Sequence, residues 1–144
     1  MRTASKPIGI FDSGLGGLTV ARAIARALPH ESIYYVGDTK RCPYGPRDQA
    51  EVRLFVRQVG AWLEDRDVKL VVIACNTATS AGLDVLQRAL AVPVIGVVEP
   101  GARAAIQATR TRRVGVLATR GTVESGSYVR AIHMLDAGVR VAQC

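Results

Sequence analysis

Residues 68–79 are Val68-Lys-Leu-Val-Val-Ile-Ala-Cys-Asn-Thr-Ala-Thr79, a largely apolar run that turns polar after Cys75. An apolar run such as Val68–Ala74 is typical of a strand that is buried on both faces of a parallel sheet. We expect a helix to follow from about Ala78 to Leu90. Cys75 would then lie between the end of a buried strand and the start of a helix.

Strands and helices alternate along the rest of the chain. Further strands are predicted at Ile8–Phe11, Ile33–Val36, Pro93–Val97, Val114–Ala118 and near Val139. Further helices are predicted at Leu18–Leu28, Gln49–Asp65, from the turn Glu99–Gly101 to about Ala108, and at Glu124–Leu135. This alternation indicates βαβ units, and therefore an α/β fold with a parallel sheet flanked by helices.

Polar loops follow several of the predicted strands. In open α/β sheets, ligands bind beyond the carboxyl ends of the strands. Four loops qualify, and all are rich in small or polar residues: Asp12–Gly17, Gly37–Gly45, Cys75–Thr79 and Thr119–Gly126. We expect them to converge on one edge of the sheet and to form a site for a small ligand.

Composition and charge narrow the class of protein. The chain has 144 residues, of which 49% are hydrophobic and 22% charged, as in an ordinary globular domain. The net charge is +7, but only residues 109–113 are densely basic, and no nucleic-acid-binding motif accompanies them. We therefore expect attraction for small anions rather than for nucleic acid.

The N-terminal sequence and the cysteines indicate the cellular compartment of the protein. Residues 1–7 contain no apolar segment, and the run Leu70–Cys75 is too short to span a bilayer, so we expect a cytoplasmic protein without a membrane segment. Three cysteines without a secretion signal argue against a disulfide framework. No spacing of Cys or His predicts a metal site.

Cys75 is the strongest candidate for a catalytic residue. At the start of a helix, the helix dipole and nearby N–H groups favour a thiolate, which serves as a base or nucleophile. Asn76 and Thr77 add donors and acceptors for a zwitterionic ligand. The alternative is a structural cysteine, since Cys often packs as a small hydrophobic residue.

The segment Asp12-Ser-Gly-Leu-Gly-Gly17 lies between a predicted strand and helix. It lacks the dinucleotide fingerprint, because Thr19 stands where the third glycine belongs, and it lacks the Walker lysine. An acidic residue would also repel a phosphate. Glycines at a helix start suit a carboxylate, with Asp12 free to face an ammonium group or assist proton transfer. Alternatively, Asp12 is a simple helix cap.

Two further loops carry candidate ligand contacts. Tyr44 and Gly45 could offer a phenol and a backbone amide to a carboxylate, or could belong to a rigid Pro-Gly surface turn. Thr119 and Thr122 could reach the same carboxylate, or could cap the helix that follows.

Taken in order, these motifs resemble the glutamate racemase family of the cofactor-independent aspartate/glutamate racemase superfamily. The matching segments are Ile8–Val20, Gly37–Thr39 with Pro43–Pro46, Val72–Ala78, and Pro93–Val97 with Glu99–Ala102. The resemblance implies interconversion of L- and D-glutamate without a cofactor, by proton transfer between two thiols, to supply D-glutamate for peptidoglycan, cell-wall biogenesis and cell shape.

The resemblance also assigns roles and an architecture. It implies that Cys75 is the first catalytic cysteine, and that the substrate is contacted by Asp12, Ser13, Tyr44, Gly45, Asn76, Thr77, Thr119 and Thr122. Because Asp12 could also assist proton transfer, we predict that Asp12 is catalytic together with Cys75. It further implies a two-lobed fold, with a first lobe at residues 1–98 and the start of a second at 99–144. The oligomeric state is left open, and a homodimer is one alternative.

The sequence departs from the family in one respect. The family's second cysteine, within a Cys-Thr-His segment, has no counterpart in these 144 residues, and we do not give that role to Cys144. We therefore interpret the sequence as truncated, and expect that it does not racemise glutamate alone. The alternatives are a racemase or isomerase for aspartate, hydantoin or maleate, a non-catalytic fragment that binds an amino acid or a protein, and a nucleotide-binding Rossmann module.

Overall fold

A computed structural model describes residues 5–144. Residues 1–4, which belong to the segment considered for a signal peptide, lie outside the described residues. The strands are β1 (Ile8–Asp12), β2 (Ile33–Gly37), β3 (Leu70–Ile73), β4 (Val94–Gly96), β5 (Arg113–Val116) and β6 (Arg140–Gln143). The helices are α1 (Leu18–Ala27), α2 (Gln49–Glu64), α3 (Asn76–Ala89), α4 (Val98–Ala108), α5 (Arg120–Ser125) and α6 (Ser127–Leu135).

The first four strands form one parallel sheet in the order β2-β1-β3-β4. β1 is buried along its whole length because apolar layers cover both faces of the sheet. On one face, Phe11 and Ile73 pack with apolar residues of α2 and α3. On the other face, Ile8 and Ile10 pack with apolar residues of α1. The predicted α/β fold with a helix-flanked parallel sheet is confirmed.

The last two strands form a separate parallel sheet, β5-β6. Its core is built around Ala102, Ile132 and Val139, so α4 and α6 supply its apolar cover. The prediction that all four polar loops meet at the edge of one sheet is therefore wrong, since the fourth loop follows β5. Sequence spacing could not show this, because the hydrogen-bond partner of a strand is a long-range choice.

Three helix boundaries differ from the predictions. α3 begins at Asn76 rather than near Ala78, because Cys75 itself caps the helix. The segment 99–101, expected to be a turn, lies within α4, where Pro100 is tolerated in the first turn. The helix expected from Glu124 to Leu135 is instead two helices, separated at Gly126, whose φ of 62° is left-handed.

Within residues 5–144, none of the helices combines the length and the apolar character that crossing a membrane requires.

Candidate active site

Neighbouring strands bring the loops after β1, β2 and β3 together. Asp12 ends β1 opposite Gly37, and the Asp38 N–H donates to the Asp12 carbonyl at 2.9 Å. On the other side, the Ala74 N–H donates to the Phe11 carbonyl at 2.8 Å, so the chain leaves β3 directly beside Asp12. The loops that contain Asp12 and Cys75 are therefore adjacent at the carboxyl edge of the sheet.

The Cys75 side chain lies at the boundary between the core and this edge. It is 8% exposed and packs in the apolar cluster beneath α2 and α3. Its sulfur accepts a hydrogen bond from the Ala78 N–H at 3.4 Å and donates to Ser13 Oγ at 3.5 Å. The thiol therefore contacts both the N-terminal turn of α3 and the polar turn after β1.

Asp12 is buried beside the glycine turn, with 6% of its surface exposed. Its Oδ2 accepts a hydrogen bond from the Gly14 N–H at 2.9 Å. The first helix is instead capped at Gly17, without a side-chain hydrogen bond, so the alternative that Asp12 is a simple helix cap is wrong. A Cβ at Gly17 would lie 2.6 Å from the Asp12 Cβ, so only glycine allows this approach.

Tyr35, on β2, is a residue of this edge that the sequence did not reveal. Its hydroxyl donates to the Gly14 carbonyl at 3.2 Å and so supports the glycine turn. Burial raises the pKa of Tyr35, and the negative charges of Asp12 and Cys75 raise it further. Both candidate catalytic groups are therefore within electrostatic reach of one phenol, although nothing in the pattern of β2 marks that residue.

The Tyr44 hydroxyl does not lie free for a ligand. Tyr44 is 1% exposed, its ring packs against Phe55, and its hydroxyl donates to Asp38 Oδ2 at 2.5 Å. Arg41 Nε donates to the same oxygen at 2.5 Å. Burial, followed by the hydrogen bond and charge of Asp38, raises the pKa of Tyr44 far above that of an ordinary phenol. Asp38 and Arg41 were not singled out from the sequence.

A chain of three threonine hydroxyls joins the remaining loops. Thr77 Oγ1 lies 3.0 Å from Thr119 Oγ1, which lies 3.1 Å from Thr122 Oγ1. Gly45 lies against this chain, because a Cβ at that position would be 2.7 Å from Thr119 Cγ2. Thr119 occupies the N-cap position of α5, but its side chain makes no capping hydrogen bond. Three of the four predicted loops therefore meet here across the two sheets.

The hydroxyl chain borders an open cleft of about 360 Å³. The cleft is lined by Asn76, Thr77, Thr119 and Thr122, together with Tyr128 and residues of β5 and its exit. Cys75, Asp12 and Ser13 are not among its lining residues. The predicted residues thus form two groups, a thiol group and a cleft group, which are joined by the consecutive residues 75–77.

These two groups have complementary chemistry. A thiol beside a helix N-terminus, with a carboxylate nearby, can take up and return a proton. Hydroxyl and amide groups around a cleft can bind a carboxylate and stabilise charge that develops beside it. In the described part of the chain, no group of three His, Cys, Asp or Glu side chains is placed to hold a metal ion.

Known proteins share this sequence and fold. The sequence profile of the family described as Asp/Glu/Hydantoin racemase matches residues 8–144. A glutamate racemase from Carnobacterium sp. is 57% identical over 129 residues, which are 90% of this chain and 48% of that protein. The chain spans about half the length of the curated relatives that it matches.

Solved structures agree. A glutamate racemase isoform from Bacillus anthracis superposes with a TM-score of 0.92 at 51% identity, over 96% of this chain and 52% of that one. The glutamate racemase from Francisella tularensis, solved in complex with D-glutamate, superposes with a TM-score of 0.89 at 38% identity, over 96% of this chain and 52% of that one.

Proposed function

Since the chain belongs to the Asp/Glu/hydantoin racemase family, we propose that the whole protein is a glutamate racemase and that these residues supply one side of its active site. The observation that carries the proposal is the position of the Cys75 sulfur, between Ser13 Oγ and the Ala78 N–H at the carboxyl edge of the sheet. Relatives of 51% and 57% identity are glutamate racemases, and a third was solved with D-glutamate bound.

Cys75 acts as the base in one direction. Its thiolate removes the proton on the α-carbon of glutamate, so the C–H bond breaks, an S–H bond forms, and the electron pair remains on the carbon beside the carboxylate. An acid on the opposite face then donates a proton to that carbon, which inverts the stereocentre. We assign this second proton to a thiol outside these 144 residues, and in the reverse direction the two thiols exchange roles.

Asp12 and Ser13 adjoin the thiol in this mechanism. We infer that the Asp12 carboxylate, which accepts a hydrogen bond from the Gly14 N–H, faces the substrate ammonium group or assists proton transfer. Ser13 Oγ, which accepts the Cys75 S–H, orients the sulfur. Both groups act in a turn that the close approach of Gly17 keeps in place.

The cleft residues bind the substrate carboxylates. Asn76, Thr77, Thr119 and Thr122 line the cleft and offer an amide and three hydroxyls to these carboxylates. Tyr44 and Gly45 contribute through their main chain, since the Tyr44 hydroxyl is occupied by Asp38.

The architecture and biological setting are parts of the same proposal. Residues 1–98 would form a first lobe and residues 99–144 would begin a second, as the separate core around Ala102, Ile132 and Val139 supports. In a cell, the reaction would take place in the cytoplasm and supply D-glutamate for peptidoglycan. The oligomeric state is left open, and light scattering on the whole protein tests whether it forms a homodimer.

The proposal is tested by racemisation of L-glutamate by the whole protein in D₂O, measured by chiral chromatography and by loss of the α-proton NMR signal. Cys75→Ser should lower the rate of D-glutamate formation about a thousandfold, as expected for loss of a general base. Cys144→Ser is the matched control, because that cysteine is exposed, and it should retain the rate. Equal rates in the two variants would refute the role of Cys75.

Two further arms sharpen this test. A substrate panel with aspartate and hydantoins decides whether glutamate is preferred, since the family profile covers those substrates as well. The 144-residue chain assayed alone should form no D-glutamate, because it holds only one of the two thiols. Turnover by this chain that Cys75→Ala abolishes would contradict the two-thiol division.

A further inference from the structure

Tyr128, on α6, makes a hydrogen bond to the proposed substrate site across 52 positions of sequence. Its hydroxyl donates to Asn76 Oδ1 at 2.8 Å. Asn76 is exposed at the first position of α3, and both residues line the cleft of about 360 Å³. Within residues 5–144, Asn76 Nδ2 makes no hydrogen bond of its own, so its two protons remain for a ligand.

The position of the Tyr128 hydroxyl is built by its surroundings. A Cβ at Gly101 would lie 2.9 Å from the hydroxyl oxygen, so α4 leaves room for this group only because residue 101 is glycine. The Tyr128 ring also packs on the apolar cluster of the second sheet. Burial raises the pKa of Tyr128, which keeps the hydroxyl protonated, and hence a donor, throughout the range in which thiols act as bases.

We propose that Tyr128 is a positioning residue: its hydroxyl holds the carbonyl oxygen of Asn76, so that the Asn76 amide nitrogen is presented to a carboxylate of the substrate. The inference rests on the proposed function, and adds to it that Asn76 donates a hydrogen bond to the substrate through its amide nitrogen. A free asparagine amide offers a ligand either its oxygen or its nitrogen, and only the nitrogen attracts an anion. Because the Tyr128 hydroxyl already binds the Asn76 oxygen, the amide nitrogen is the group that remains for the substrate.

A purely structural role for Tyr128 makes a different prediction. α3 and α6 are also joined by a second hydrogen bond, between Ser80 Oγ and Ser127 Oγ at 2.7 Å, which does not involve Asn76. If Tyr128 only fastens the two helices, removing either bond should have a similar effect. If Tyr128 acts through Asn76, only its own removal should weaken the binding of glutamate.

The test measures kcat and KM of the whole protein for L- and D-glutamate. Tyr128→Phe keeps the ring and removes the hydroxyl, and it should raise KM about fivefold, the loss expected for one hydrogen bond between neutral groups. It should leave kcat within about twofold, since binding that is equal in the ground and transition states affects KM alone. Ser127→Ala is the matched control and should change neither constant.

A double-mutant cycle then shows whether the effect passes through Asn76. In the Asn76→Ala background, Tyr128→Phe should have no further effect on KM. If Tyr128→Phe does not fold, Gly101→Ala replaces it, because the added methyl group would lie 2.9 Å from the hydroxyl oxygen and 3.3 Å from the ring, and so shifts the Tyr128 side chain away from Asn76. It should raise KM in the same way and should likewise do so only when Asn76 is present.

The outcomes separate the inference from the function beneath it. Turnover of glutamate with an unchanged KM in Tyr128→Phe overturns the inference and leaves the racemase proposal intact. The inference is also overturned if Tyr128→Phe still raises KM in the Asn76→Ala background, or if Ser127→Ala raises KM by the same factor. Absence of racemisation of any amino acid by the unmodified whole protein refutes the racemase proposal, and the inference falls with it.

Discussion

Removing the Tyr44 hydroxyl should destabilise the fold strongly for so small a change. The hydroxyl is buried and donates to Asp38 Oδ2 at 2.5 Å, and Asp38 itself is 9% exposed. In Tyr44→Phe the ring can keep its place against Phe55, 5.5 Å away between centroids. The change therefore isolates one hydrogen bond to a buried carboxylate.

The magnitude follows from that geometry. Hydrogen bonds to charged groups contribute about 1.5 to 3 kcal/mol of net stability. We expect the lower part of this range, about 2 kcal/mol, because Arg41 continues to donate to the same Asp38 oxygen. For a chain of this length, about 2 kcal/mol corresponds to a fall in Tm of about 6 °C.

Urea and thermal unfolding of the purified protein, followed by circular dichroism, measure this change. Tyr34→Phe is the matched control, since it makes the same chemical change at a tyrosine of β2 that is 47% exposed. Its Tm should stay within about 1 °C of the parent. If Tyr44→Phe lowers Tm no more than Tyr34→Phe does, the Tyr44–Asp38 bond is not a source of stability and the reasoning fails.

The same variant should change how stability depends on high pH. Burial and Asp38 raise the pKa of Tyr44 in the folded state above the value near 10 of the unfolded chain. Below pH ~10 both states keep the phenol proton; above it only the unfolded state loses it, so the folded state loses up to about 1.4 kcal/mol per pH unit. Tyr44→Phe should therefore show a shallower fall in unfolding free energy between pH ~10 and ~12, and parallel slopes would contradict this.

Three further predictions concern the edge of the sheet. Gly17→Ala places a Cβ 2.6 Å from that of Asp12 and should lower the unfolding free energy by about 2 kcal/mol, whereas Gly115→Ala, with no atom within 4 Å of the new Cβ, should not show this steric cost in the same urea titration. Thr122→Val replaces a hydroxyl that is 1% exposed at the end of the threonine chain and should cost about 1 kcal/mol, read as a fall in Tm of about 3 °C. In the native protein, a bulky maleimide should label Cys75 more slowly than the two exposed cysteines, Cys42 and Cys144. Mass spectrometry of the partially labelled protein measures the order of reaction, and labelling of Cys75 first would contradict its burial.

The positions of the strands and helices were predictable, because short apolar runs and their spacing determine them. The run Val68–Ala74 contains β3, and the alternation of strands and helices gave the parallel sheet. The division into two sheets was not predictable, since β5 and β6 have the same local pattern whichever sheet they join. The break at Gly126 was hidden because apolar spacing continues across it, and only the backbone shows the left-handed φ.

The residues of the candidate site also differ in whether the local sequence could predict them. The position of Cys75 could be predicted from the sequence, because an apolar run that is followed by a cysteine and then by polar residues indicates the junction between a strand and a helix. Tyr35, Asp38 and Tyr128 could not, because their roles arise from contacts made in the folded chain, such as the 52 positions that separate Tyr128 from Asn76. Tyrosines in apolar surroundings carry no local signal that separates packing from positioning.

The first turn of α3 connects the two groups of the site. Cys75 contacts Ser13 in the turn after β1, Asn76 accepts a hydrogen bond from Tyr128, and Thr77 Oγ1 is hydrogen-bonded to Thr119 Oγ1. These three consecutive residues are therefore hydrogen-bonded to three different segments of the chain, and the next N–H, that of Ala78, donates to the sulfur. In the proposed reaction, Tyr128 therefore acts on substrate binding through Asn76, while Ser13 and the Ala78 N–H hold the thiol. For this reason Tyr128→Phe is expected to raise KM and to leave kcat nearly unchanged.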